Sequence, residues 1–111
     1  MLNAEKFLLH DVPEPERSTQ IAQLKPQAIL AVVSSTPPQA WATPAFDRRI
    51  AYIACSNDAM LPVAVQYKMI EGVAKHVIVE ELPCGHNGTF LVEPSRTVQM
   101  IERFIEQFTK A

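Results

Sequence analysis

Arg49-Ile50-Ala51-Tyr52-Ile53-Ala54-Cys55-Ser56-Asn57-Asp58 decides how this chain is read. A short, nearly continuous apolar run lies between a charged start and a polar turn, the pattern of a strand buried on both faces. Downstream, Val63, Tyr67, Ile70 and Val73 or Ala74 recur at helical spacing. Pro62 suits the first turn of that helix, and Gly72 lies near its end. His76-Val77-Ile78-Val79-Glu80-Glu81-Leu82 reads as a second strand. A strand, a helix and a strand in so short a span form a βαβ unit, so the two strands are expected to be parallel.

Further on, Pro83-Cys84-Gly85-His86-Asn87-Gly88 reads as a loop, and Pro94 to about Thr109 as an amphipathic helix. Val98, Ile101, Phe104, Ile105 and Phe108 are expected on its buried face, with Arg96, Glu102 and Glu106 outside. Toward the N-terminus the pattern is less regular. Six of the nine prolines fall between Pro13 and Pro44. Ala4–His10 and Gln27–Val33 fit helix or strand equally well. Glu16 to Leu24 reads as a helix stopped by Pro26, which disfavours helical backbone before it. Ser34-Ser35-Thr36-Pro37-Pro38 breaks regular structure. This half reads as irregular helical pieces folded over something else; its proline-rich stretch could cover part of the first strand's edge, or leave that edge open.

The composition is that of an ordinary globular chain. In 111 residues there are 48% hydrophobic and 20% charged residues, and the net charge is −2. That balance carries no basic excess for nucleic acid and no acidic excess for cation buffering. At this length about 65% of the unfolded surface is expected to be buried, which is one modest core. The apolar runs fall short of the roughly 18 residues a membrane span needs. Met1-Leu2-Asn3-Ala4-Glu5-Lys6 has no signal-peptide pattern. Two cysteines, Cys55 and Cys84, make no disulfide framework and suit a reducing, cytoplasmic setting. Two cysteines and three scattered histidines form no metal-ligand spacing, and no G-x-G-x-x-G or P-loop is present, so neither metal nor organic cofactor is expected.

Two residues stand out by placement. Asp58 follows the first strand and His86 follows the second, 28 positions later. Sites on parallel α/β sheets gather beyond the carboxyl ends of the strands, and a right-handed crossover brings both loops to that edge. An Asp and a His there can act as orienting acid and general base. Simpler roles stand beside this one. Asp58 could cap the following helix, and His86 could be a turn residue. His76 is expected at the surface, and His10 in local hydrogen bonding with Asp11. Cys55 is expected in the core, Cys84 is not expected to be a nucleophile, and Met60, Met69 and Met100 are expected in packing. Trp41 could line a pocket or pack a loop.

Taken together, Tyr52-Ile53-Ala54-Cys55-Ser56-Asn57-Asp58-Ala59-Met60-Leu61-Pro62, with Gln66 and Met69-Ile70, resembles the acid-bearing segment of α/β-hydrolases. The group it most resembles comprises small esterases related to plant hydroxynitrile lyases and methylesterases. Leu82-Pro83-Cys84-Gly85-His86-Asn87-Gly88-Thr89-Phe90-Leu91 with Glu93-Pro94 resembles that group's histidine segment, and Phe7-Leu8-Leu9-His10-Asp11-Val12-Pro13 the end of its cap. The resemblance implies an α/β fold corresponding to the C-terminal portion of an α/β-hydrolase. Residues 1–47 would be a cap-like helical and proline-rich segment, and residues 48–111 the closing βαβα part of the core. It places Asp58 on the triad acid and His86 on the triad base, acting on a small carboxylic ester or cyanohydrin-type substrate. Ser56-Asn57 and Asn87-Gly88 depart from the pairs common in that group, which bears on substrate preference and not on the acid and base.

In that family the order is Ser, acid, His, with the Ser in a G-x-S-x-G elbow. Glycine occurs here only at positions 72, 85 and 88, and no serine is flanked by two of them. Covalent acyl transfer then lacks its attacking atom, so the isolated chain is expected to be inactive, a fragment of a larger enzyme. Two strands alone leave open edges, so self-association or pairing with a complementing N-terminal piece is expected. The alternative is a non-catalytic remnant or interaction module that pairs through an exposed strand edge.

Overall fold

The computed structural model describes residues 3–73 and 75–110. The chain begins with three short helices, α1 (Ala4–Phe7), α2 (Glu16–Gln23) and α3 (Ile29–Val33), and two single 3₁₀ turns at Ala40–Ala42 and Pro44–Phe46. The regular part follows as β1 (Ile50–Cys55), α4 (Val63–Val73), β2 (Val77–Leu82), α5 (Gly88–Leu91) and α6 (Pro94–Lys110). Ala74, the alternative last apolar position of α4, lies outside the described residues.

The strands pair in parallel, with Ile50 opposite Val77 and Cys55 opposite Leu82. Side chains alternate across the sheet, and a helix lies on each face. Ala51, Ile53 and Cys55 with Ile78 and Leu82 pack on the α6 side, around Met100, Phe104 and Phe108. On the other side, the Tyr67 hydroxyl of α4 donates to a Glu81 carboxylate oxygen at 2.9 Å. The result is a three-layer α/β arrangement two strands wide. Its best-buried apolar side chains are Leu82, Cys84, Val12 and Leu9, all at 2% exposure or less, together with Ala54. Fully burying one such aliphatic side chain stabilises the fold by about 1.5–3 kcal/mol.

A short N-terminal piece joins this core. The Asn3 side chain caps α1 by accepting from Lys6 N at 3.0 Å, and the chain beyond α1 brings Leu9 and Val12 inside. Of the two alternatives for the strand edge, the structure shows the open one: the proline-rich stretch does not cover it. Residues 22–49 are exposed throughout, and the sheet has two strands among the described residues. Prolines have no N–H to offer a strand edge, and the apolar side chains of α3 (Ile29, Leu30, Val32 and Val33) all point to solvent.

Three expectations are corrected. The buried side of α6 is Thr97, Met100 and Phe104, whereas Val98, Ile101 and Ile105 are 54%, 44% and 55% exposed. The apolar stripe of α6 is wider than two strands can cover, so its second row overhangs the open edge of β1. For the same reason β1 is fully buried only at Ala54 and Cys55, its other residues being half-buried. Met60 and Met69 are exposed, and only Met100 packs in the core. Among the described residues no helix is long and apolar enough to cross a membrane.

Candidate acid–base site

The two loops that leave the sheet at its carboxyl end are tied to each other. Ser56 N donates to Leu82 O at 3.0 Å and Asn57 N to Cys84 O at 3.1 Å, extending the strand pairing past the strand ends. Asp58 and His86 project from these loops, and His86 Nδ1 lies 2.9 Å from Asp58 Oδ2. The Asp58 side chain is 5% exposed and that of His86 36%. The acid is therefore held inside while the imidazole reaches the surface.

Asp58 is fixed at both ends of its carboxylate. Oδ1 accepts from Met60 N at 2.8 Å and from Leu61 N at 2.9 Å, which closes the turn leading into α4. An Asx-type turn of this kind is a common local use of Asp; it occupies Oδ1 and leaves Oδ2 for His86. His86 likewise sits in a turn, closed by Gly88 N donating to Gly85 O at 3.0 Å. With Nδ1 engaged by the carboxylate, Nε2 has no hydrogen-bond partner among the described residues. This arrangement fixes one tautomer and lets Nε2 take a proton while Asp58 stabilises the imidazolium.

Gln66 is a site residue to which sequence reasoning assigned no role. It is 1% exposed. Its Oε1 accepts from Cys55 N at 2.9 Å, and its Nε2 donates to Cys55 O at 2.9 Å and Leu61 O at 2.8 Å. A glutamine among the apolar positions of α4 was the available signal. Its reach back to the strand end needs the tertiary fold. Asp11 is the other omission. The expected local bonding with His10 is absent, and instead Asp11 Oδ2 accepts from Gly85 N, 74 residues away. His76 and Trp41 are exposed.

The cysteines lie beneath this site with their sulfurs 3.7 Å apart. Burial raises both thiols, that of Cys84 to about 12. The reactive form of a cysteine is the thiolate, so burial disfavours a nucleophilic role for either. Among the described residues no group of three His, Cys, Asp or Glu side chains converges on a metal position.

A cleft of about 460 Å³ opens beside the pair, lined by His86 and Asp58 together with Ile101 and Phe104. Ala51, Tyr52 and Ile53 all line it. Consecutive residues of a strand point to opposite faces, so a cleft that meets all three meets the edge of β1.

No family model, curated protein or solved structure matches the chain.

Proposed function

We propose that this chain is the acid–base part of a serine α/β-hydrolase of esterase or hydroxynitrile-lyase type. The observation that carries the reading is the 2.9 Å contact between His86 Nδ1 and a buried, doubly anchored Asp58 beyond the ends of two parallel strands. A serine outside these 111 residues attacks the carbonyl of a small carboxylic ester. His86 Nε2 accepts the serine proton and returns it to the leaving alkoxide, and Asp58 holds the ring and its transient charge. In the lyase variant His86 handles the hydroxyl proton of a cyanohydrin-type substrate. Neither route calls for a metal or organic cofactor.

The open edge of β1 supports a missing neighbour. A strand added parallel to β1 would end at the same carboxyl edge of the sheet as Asp58 and His86. Val98, Ile101 and Ile105 offer the apolar cover for such an addition. The test is to express the chain together with the coding sequence upstream of Met1. The expected result is an in-frame G-x-S-x-G, hydrolysis of p-nitrophenyl acetate, and loss of about 10³-fold or more of the rate in His86→Ala. Unchanged hydrolysis in His86→Ala would refute the reading.

The same open edge favours a second reading, a non-catalytic module that associates through β1. Light scattering of the purified chain separates the two. Association that Ile105→Lys disrupts, in a chain whose upstream sequence encodes no nucleophile elbow, would favour the module.

A further inference from the structure

The carboxylate of Asp11 occupies a concavity that only glycines can form. A Cβ on Gly85 would lie 2.4 Å from Asp11 Oδ1 and 2.7 Å from His10 Cε1. One on Gly88 would lie 2.4 Å from Cys84 Cβ and 3.0 Å from Asp11 Oδ2. Neither glycine has a positive φ, so close approach, not backbone freedom, accounts for them. Gly85 thus makes room for the Asp11 carboxylate, and Gly88 makes room chiefly for the Cys84 side chain while also touching that carboxylate.

That carboxylate is held from below. Leu9 and Val12, on either side of it, are 2% and 1% exposed and anchor its segment. Oδ2 accepts from Gly85 N, while Oδ1 is buried with no partner among the described residues. An unpartnered buried oxygen costs stability. A fold served only by packing would do better with an apolar side chain here. What the carboxylate accomplishes is to grip the amide N–H of the residue immediately before His86.

We propose that Asp11 is a positioning residue for His86: through Gly85 N it sets the loop from which the imidazole meets Asp58. This rests on the acid–base reading of Asp58 and His86. Three groups then define the base. Asp58 fixes the ring, the Ser56 and Asn57 amides tie the two loops, and Asp11 fixes the backbone at Gly85. The first segment, which holds no catalytic group, acquires a part in catalysis by this route.

The test uses the 111-residue chain labelled with ¹⁵N, in its wild-type form and as Asp11→Ala, Asp11→Asn and Asp58→Asn. The readouts are amide exchange at Gly85 and the ring ¹⁵N shifts of His86. Asp11→Ala is expected to speed Gly85 exchange by about tenfold or more, as for loss of a hydrogen bond to a charged acceptor. The His86 ring shifts should move in the same variant toward those in Asp58→Asn, with strand amides unchanged. Asp11→Asn keeps one oxygen for Gly85 as a neutral, weaker acceptor, so both signals are expected to move in the same direction as in Asp11→Ala but by less. Faster Gly85 exchange with unmoved His86 ring shifts overturns the proposal. Should Asp11→Ala not fold, Asp11→Asn decides by the same criterion, since a neutral acceptor weakens the Gly85 bond and must move both signals together. If Asp58→Asn itself leaves the ring shifts unmoved, the acid–base pairing fails, which is distinguishable from failure of Asp11.

Discussion

Replacing Gln66 by leucine separates a packing contribution from a polar one. The two side chains are similar in size, and position 66 is 1% exposed, so shape is nearly conserved. What is lost is the clamp on the end of β1. Cys55 N loses its acceptor and Leu61 O its donor, whereas Cys55 O still accepts from Asp58 N at 3.3 Å. Two backbone groups are therefore orphaned. Each costs about 1–3 kcal/mol when buried. Leu61 is only half-buried, and water recovers part of its share, which leaves about 3 kcal/mol in total. With a urea m-value of about 1.2 kcal/mol/M for a domain of this size, the unfolding midpoint should fall by about 2 to 2.5 M. Urea titration followed by far-UV circular dichroism reads this directly. A fall of less than about 0.5 M would refute the reasoning, because it would mean that the clamp bonds are replaced by water at no cost. The clamp also ends three residues before Asp58, so the variant should loosen the pairing of Asp58 with His86.

Gly72→Ala is expected to stabilise the chain by about 0.5 kcal/mol, because the added methyl meets nothing within 4 Å and alanine is the better helix former. Thermal melts should show the midpoint rising, whereas in Gly85→Ala, which drives a Cβ into Asp11, it should fall. Leu82→Ala removes a fully buried side chain from the sheet and should cost about 2–5 kcal/mol in the same urea titration. The cysteines give a pH dependence. Their folded-state pKa values lie above the unfolded value of about 8.5, so the native state holds protons that the unfolded chain releases. Stability should therefore be intact below about pH 8.5 and fall as pH rises toward 12, the value to which Cys84 is raised. A chemical unfolding series from pH 7 to pH 10 checks the sign, and thiol-reagent labelling at pH 8 should be slow in buffer and fast in urea.

The regular half was legible because its signals are local and repeat. The apolar run of β1, the helical spacing after Pro62 and the run of β2 predicted three elements that the structure places at Ile50–Cys55, Val63–Val73 and Val77–Leu82. Their order required parallel strands, and parallel strands required the two following loops to lie together. Asp58 and His86 could thus be read as neighbours from chain order alone. The first half resisted because short apolar runs such as Gln27–Val33 fit two periods. In the structure that run is a five-residue helix exposed on all sides.

The sequence by itself determined the α/β character, the parallel pair and the two residues at its carboxyl end, since these follow from periodicity and from the handedness of the crossover. Tertiary structure alone decided which row of α6 is buried, because that depends on how wide a sheet the helix meets. It also decided that Gln66 closes the end of β1 and that Asp11 grips Gly85, since each joins residues that no local spacing relates. The open edge of β1 belongs to both: two strands are countable in the sequence, but only the fold reveals that residues 22–49 leave that edge uncovered.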